Sequence, residues 1–330
     1  MTTRTEKFCR NESLESLLGE LNAQLWVAEQ ELLAQRVQAE PEFPLILVMG
    51  PLRSGTTLFM QWLANSGMVA YPTNLLSRFY NAPVLGAKIQ LLLTDPRYNF
   101  RDELGEFLQG AEYRSENGKT RGALAPNEFW YFWRRFLPDP SRDVWLDSEL
   151  ESGMDTGTML AELSGISAVF GKPFAAKGML FNYNIRFLDA LLKKVLFVHI
   201  KRDPVANVAS VLEARKRQHG SESAWYSFKI PEYGQLKDLD PVTQSAGQVH
   251  YIDQAVSRGL AAVDESRKLV VHYERFCEDP RACHRELAER LGLGGVEYTG
   301  PGGFEVSRRV DDAQRKKIVS ACRQFPCAED

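Results

Sequence analysis

The segment 48-VMGPLRSGTTLFMQWLANSG-67 contains Gly50-x-x-x-x-Gly55-Thr56-Thr57 at the point where an apolar run gives way to a helical pattern. Backbone amides that turn about a glycine at the positive end of a helix dipole form a cradle for a phosphate. Gly55 permits the sharp turn. The amides of residues 53–57 point inward, and Ser54, Thr56 and Thr57 add hydroxyl donors. The spacing is that of the nucleotide-binding loop G-x-x-x-x-G-K-[ST], but Thr56 stands where the lysine would reach the β- and γ-phosphates. The only cation in the loop is Arg53, three places earlier. A loop built this way is poorly equipped for triphosphate hydrolysis. A fixed guanidinium at its front can instead reach a bridging oxygen beside a 5′-phosphate and stabilise a good leaving group without a metal.

A second constellation lies in 195-VLFVHIKRDPVANVASVLEAR-215. The run 195–200 reads as a buried strand and Arg202 sits at its end. Asp203 is a good N-cap and Pro204 suits the first helical turn. Ser210 follows Asp203 by seven residues, about two helical turns, and so returns to the side of the strand end. An arginine and a serine placed this way can pinch one further phosphate. The alternative is that Arg202 pairs with an acid and Ser210 faces solvent.

The elements that must position these groups alternate. Leu45–Met49 reads as a buried parallel strand, and Thr56–Asn65 as a helix ended at Gly67. Further on come a strand in 172-KPFAAKG-178, a helix over 185–193, the strand 195–200 and a helix to about Arg217. A helix over 242–264, the strand 268-KLVVHY-273 and a capped helix over 280–292 follow. This pattern predicts an α/β fold with a central parallel β-sheet flanked by helices on both faces. Residues 12–38 carry leucines at helical spacing, with Asn11 or Ser13 as cap. They are expected to form a helix packed on the domain, with a dimer or membrane-surface helix as alternatives. Residues 70–150 read as irregular and rich in aromatics, including 129-FWYFW-133, and are expected to form a mainly helical or irregular insertion or lid.

Composition narrows the partners. The 330 residues are 44% hydrophobic and 25% charged with net charge −3, so no global basic field draws the chain to nucleic acid or anionic lipid. The longest apolar runs are far too short to span a bilayer, and the first ten residues show no secretory pattern. Five cysteines with no CxxC pair point to reduced thiols in a cytoplasmic compartment, and Cys277, Cys283 and His284 lack the recurrence of a metal site.

Together the two phosphate motifs resemble those of the sulfotransferases that use 3′-phosphoadenosine 5′-phosphosulfate (PAPS). PLRSGTTL resembles the family's 5′-phosphosulfate loop in its R-S-G-T-T form, and RDPVANVAS its 3′-phosphate motif R-[DN]-P-x(5)-S. Lys177, followed by Asn184-x-Arg186-Phe187, is similar to the family's lysine element, and 271-VHYERFCEDPRACHRELAERLGL-293 to a later segment. The resemblance covers roughly 44–70 and 172–293, and implies one domain over 1–330 with 70–170 as the acceptor-binding insertion and 294–330 as a C-terminal segment. It implies that Arg53 contacts the 5′-phosphate and the bridging oxygen, that the amides of Ser54, Gly55, Thr56 and Thr57 bind the 5′-phosphate with help from the Thr56 and Thr57 hydroxyls, that Arg202 and Ser210 bind the 3′-phosphate, and that Lys177 neutralises the sulfuryl oxygens. Tyr273 either touches the adenine or fills the core, and Arg308 or Arg309 is the candidate for a late contact to the 3′-phosphate. The expected reaction is in-line transfer of a sulfuryl group to a hydroxyl or amine of a small-molecule, glycan or lipid acceptor. It leaves 3′,5′-ADP (PAP) and requires no metal.

The base departs from the family pattern. No acid stands in 70-AYPTNLLSRFYNAP-83 and no histidine in 177-KGMLFNYN-184, where relatives place theirs. Asp95, Glu103, Glu106 and Glu128 remain, and Glu128 is favoured because a carboxylate among aromatics can be desolvated. His219 and His250 are outside candidates, while His199, His272 and His284 read as structural. The aromatics at 79–80, 98–100 and 129–133 either wall an apolar acceptor site or pack the core. Two rivals stand beside this reading: a degenerate P-loop kinase or NTPase, and a non-catalytic nucleotide-binding protein.

Overall fold

The structure is a computed structural model that describes residues 4–5, 9, 11–34, 41–99, 101, 115–116, 119–306 and 310–325. In its first half come α1 (Glu12–Ala34), β1 (Leu45–Met49), α2 (Thr56–Asn65) and α3 (Pro83–Thr94). A hairpin of β2 (Ser115–Glu116) and β3 (Lys119–Thr120) precedes α4 (Trp130–Arg134), α5 (Asp147–Gly153) and α6 (Thr156–Phe170). Then follow β4 (Phe174–Lys177), α7 (Ile185–Leu191), β5 (Val195–Lys201), α8 (Pro204–His219), α9 (Tyr233–Leu236) and α10 (Pro241–Ala261). The last elements are β6 (Lys268–His272), α11 (Tyr273–Glu278), α12 (Pro280–Arg290) and α13 (Asp312–Cys322).

Four strands form a parallel sheet in the order β4-β1-β5-β6, with Leu47 opposite Ala176 and Phe197, and Val198 opposite Leu269. A parallel sheet is covered on both faces, which is why LILVM has no polar alternation. Successive side chains still divide. Leu45, Leu47 and Met49 pack with Ile166, Ile185 and Val256 of α6, α7 and α10. Ile46 and Val48 pack with Phe59, Phe276 and Leu287 of α2, α11 and α12. The fold class is thus the one the strand–helix alternation predicts. Because β1 and β5 are neighbours, the loops after them leave the sheet side by side at its carboxyl edge, where open α/β sheets bind ligands.

The segment 70–150 is more regular than its sequence suggests, since α3, α4 and α5 lie in it. In α3 (PVLGAKIQLLLT) apolar residues run round most of the circumference, so no stripe announces a helix. The α1 helix begins where expected, with Leu14 N–H donating to Asn11 Oδ1 at 3.1 Å, and is described as far as Ala34; 35–38 lie outside the described residues. It is fixed by buried polar groups. Asn22 donates to the Arg78 carbonyl (2.8 Å) and accepts from Asn81 N–H (2.8 Å). Glu29, fully buried, accepts from the N–H groups of Val84 (2.8 Å) and Leu85 (3.0 Å) at the start of α3, where a carboxylate complements the helix dipole. Among the described residues no helix is long and apolar enough to cross a membrane.

Candidate active site

The loop between β1 and α2 turns through three positive φ angles: Gly50 (137°), Arg53 (61°) and Gly55 (105°). Gly55 is irreplaceable on packing grounds as well, because an added Cβ would lie 2.2 Å from Tyr273 Cδ2. The N–H groups of Gly55, Thr56 and Thr57 have no acceptor among the described residues, as expected of the open start of a helix. Arg53, Gly55, Thr56 and Thr57 all border one cleft. Ser54 does not. Its side chain is fully buried, its Oγ would lie 3.3 Å from a Cβ at Gly50, and its N–H donates to the Pro51 carbonyl at 3.2 Å. Its hydroxyl has no hydrogen-bond partner among the described residues.

Two buried asparagines, which sequence reasoning passed over, hold the loop. Asn182 accepts from Gly50 N–H (3.2 Å) and donates to the Gly50 carbonyl (3.0 Å); Asn207 donates to the Leu52 carbonyl (2.7 Å). Asn207 lies one helical turn before Ser210 on the same face of α8. The only sequence signal was an amide in an otherwise apolar stretch of that helix.

Arg202 and Ser210 meet the loop across the gap between β5 and β1. Arg53 Nε donates to Ser210 Oγ at 3.2 Å, and Arg202 Nη1 donates to the Arg53 carbonyl at 2.9 Å. The Arg202 guanidinium lies 4.7 Å from the Tyr273 ring centroid. Tyr273 is itself buried at the start of α11 and also borders the cleft. Burial pushes its hydroxyl up to about 12.

Lys177 ends β4 opposite Val48, so sheet register carries its ammonium to the start of α2. It donates to Thr57 Oγ1 at 2.8 Å and pairs with Glu128 Oε1 at 3.0 Å. Glu128 Oε2 in turn accepts from Trp130 Nε1. Glu128 precedes Phe129, whose φ of 58° is held by Asn127 Oδ1 accepting from Phe129 N–H at 2.9 Å. Asn127 Nδ2 donates to Asn74 Oδ1 at 2.8 Å, tying this turn to the segment after α2.

The cleft around these groups has a volume of about 1420 Å³. From 129-FWYFW-133, Phe129, Phe132 and Trp133 pack the core, while Trp130 and Tyr131 face the cleft. The aromatic segment thus divides, by residue, between the core and the cleft. Trp225, Tyr226 and Phe228, between α8 and α9, add a second wall that the sequence did not announce. Of the non-glycine residues with positive φ, Arg53 and Ser227 border the cleft and Phe129 adjoins Glu128.

Other candidates fall elsewhere. Asp95 caps a single turn and pairs with Arg97 at 2.7 Å, away from the cleft. Glu103, Glu106, Arg308 and Arg309 lie outside the described residues. His199 is buried in β5 and contacts Asp253 at 3.0 Å; burial holds its imidazole below the usual range, with Asp253 opposing. His250 stacks on Phe325, and His284 packs between Trp62 and Tyr298. His219 borders the cleft.

With this geometry, the sulfotransferase family model matches residues 44–297. Among solved structures, sulfotransferase STF9 from Mycobacterium avium is similar in fold, with 19% identity and a TM-score of 0.53 over 96% of this chain and 76% of its own. Sulfotransferase STF1 from Mycobacterium tuberculosis H37Rv aligns at 13% identity and a TM-score of 0.47, over 91% and 76% of the respective chains. No curated protein matches the chain.

Proposed function

We propose, for a chain that belongs to the sulfotransferase family, that it moves the sulfuryl group of PAPS to an acceptor hydroxyl or amine. The observation that carries this reading is the meeting of two anion motifs: Arg53 at the front of a glycine loop touches Ser210 at 3.2 Å, and Arg202 holds the Arg53 carbonyl at 2.9 Å. One motif suits a 5′-phosphate and the other a separate 3′-phosphate. The open amides of Gly55, Thr56 and Thr57 and the room that Gly55 leaves beside Tyr273 fit such a donor.

The donor supplies an activated sulfuryl group on a good leaving phosphate. Glu128 accepts the acceptor proton as the new bond from sulfur to the acceptor oxygen or nitrogen forms, and the bond from sulfur to the bridging phosphate oxygen breaks. Arg53 and the loop amides take up the charge that gathers on the departing 5′-phosphate oxygen. Lys177, already between Thr57 and Glu128, faces the sulfuryl oxygens and holds the base. Trp130 fixes the other carboxylate oxygen.

Calorimetric titration with 3′,5′-ADP, 5′-ADP and Mg-ATP tests the reading. Tight binding that requires the 3′-phosphate and is lost in Arg202→Ala is the expected result. Preference for Mg-ATP, or indifference to the 3′-phosphate, favours the kinase or non-catalytic reading instead.

A further inference from the structure

The charges lining the cleft do not balance. Among the described residues three acids border the cleft: Glu15, Glu128 and Asp143. Each is engaged. Glu15 accepts from the Tyr131 hydroxyl at 2.6 Å, Glu128 pairs with Lys177 at 3.0 Å, and Asp143 pairs with Arg134 at 2.7 Å. Arg53 and Arg202 are absorbed by the two phosphate motifs. Two cations are left over, Arg78 and Arg4, which line the cleft and whose guanidinium groups make no hydrogen bond or ion pair with the described residues. This local positive surplus occurs in a chain of net charge −3.

Both are anchored by their backbones. The Arg78 carbonyl accepts from Asn22 at 2.8 Å, and Arg78 closes a single turn that begins two residues after Asn74. Asn74 is in turn bonded to Asn127, the neighbour of Glu128, at 2.8 Å. Arg4 is held by the next residue: Thr5 N–H donates to the Gln218 carbonyl at 2.9 Å. Two guanidinium groups on fixed backbone, facing a cleft and unsatisfied by protein carboxylates, are the chemistry that recognises an oxyanion. Arg78 is tied through Asn74 to the Glu128 turn, on the acceptor side of the proposed reaction, and Arg4 lines the same cleft beside the end of α8.

We infer that the acceptor carries an oxyanion group of its own, a carboxylate or a phosphate or sulfate ester, which Arg78 and Arg4 bind while its hydroxyl is presented to Glu128. This rests on the sulfotransferase reading above and names the acceptor class within it. A neutral acceptor of the same shape leaves both guanidiniums without partners and loses the orientation they impose.

The test is a panel of matched acceptors on sugar, aromatic and alkyl scaffolds, each with a charged and a neutral member: 4-nitrophenyl β-glucuronide and β-glucoside, 4-hydroxyphenylacetate and its amide, 6-hydroxyhexyl phosphate and hexanediol. Transfer is followed with labelled PAPS in the full chain, in Arg78→Gln and in Arg4→Gln. The expected result is at least a tenfold higher kcat/KM for a charged member than for its neutral partner. Most of that difference should lie in KM, and it should fall below threefold in Arg78→Gln. Arg78→Lys, which keeps the charge, should restore part of it. A panel in which no charged member exceeds its partner overturns the inference, as does a preference that survives in both glutamine variants. A tenfold loss of 3′,5′-ADP affinity in Arg78→Gln also overturns it, by placing Arg78 on the donor. Titration of the unaltered chain with 3′,5′-ADP separates these failures from failure of the underlying reading, because donor binding does not involve the acceptor.

Discussion

Arg53 Nε lies 3.2 Å from Ser210 Oγ, so a side chain of the glycine loop and one from the helix after β5 meet although 157 residues separate them. On the proposed reading, the contact would bring the two ends of a doubly phosphorylated donor within reach of one another's binding groups. Arg53→Ala should therefore lower kcat by ~10²–10³, the usual effect of removing a charge-stabilising donor. Arg202→Ala should weaken 3′,5′-ADP by about 10–100-fold with little effect on 5′-ADP, in line with about 1.5–3 kcal/mol for a hydrogen bond to a charged group. Steady-state rates and calorimetry check the pair. Equal losses for both nucleotides in Arg202→Ala would remove its assignment to the 3′-phosphate.

Glu128→Gln keeps the shape of the carboxylate and removes its basicity. Transfer should fall by ~10²–10⁴ while 3′,5′-ADP binding is retained. Trp130→Phe removes the hydrogen bond to Oε2 and should move the acidic limb of the pH–rate profile to higher pH, because a donor to the carboxylate favours its charged form. An unchanged rate in Glu128→Gln would send the search for a base to His219, which also borders the cleft.

Asn182→Ala strips both partners from Gly50, whose N–H and carbonyl the side chain bonds at 3.2 and 3.0 Å. Each buried group left unsatisfied costs about 1–3 kcal/mol. The melting temperature should drop, and saturating 3′,5′-ADP should recover part of the loss if the loop reorders on binding. A melting temperature equal to the parent's would show that the clamp is dispensable.

Gly55→Ala should abolish donor binding, since its Cβ meets the Tyr273 ring at 2.2 Å and its φ is 105°. Adding Tyr273→Ala relieves the clash and leaves the strained φ, so the double variant should recover part of the stability that Gly55→Ala loses. Additive losses in thermal melts would refute the packing argument.

Acid should weaken the fold through its histidines. Burial holds His199, His250 and His284 below the ordinary imidazole range. In each case the unfolded chain takes up a proton before the native state does. Stability is full above the unfolded value, about 6.5, and declines as pH falls below it, with a slope of at most about 1.4 kcal/mol per pH unit for each proton. The His199–Asp253 contact at 3.0 Å makes His199 the first to test. His199→Gln should flatten the decline seen in denaturant melts between roughly pH 7 and 5, and an identical slope would assign it to the other two.

The strand–turn–helix geometry of the loops after β1 and β5 was legible because each is contiguous: strand, turn and helix start lie within a dozen or so residues, and local rules fix their shape. That Glu128 stands among aromatics was legible, but its place in the cleft and its partner Lys177 are announced by no spacing. Asn182 and Asn207 were not legible, because their partners are 132 and 155 residues away and an amide is equally at home on a surface. The environment of Ser54 was not legible either: it belongs to the motif, yet the turn at Pro51 uses its N–H and buries its hydroxyl. The α3 helix escaped notice because burial on many sides erases the stripe by which helices are read.

Arg53 and Ser227 both take left-handed backbone angles, φ 61° and 69°, beside the cleft. A side chain in that conformation is disfavoured by roughly 1–2 kcal/mol, which glycine would relieve. The simplest way to make this chain hardier is thus to erase side chains from the rim of its cleft. Selection for heat resistance alone would drift toward Arg53→Gly, which on the proposed reading removes the leaving-group donor, so any directed improvement has to score turnover and melting together.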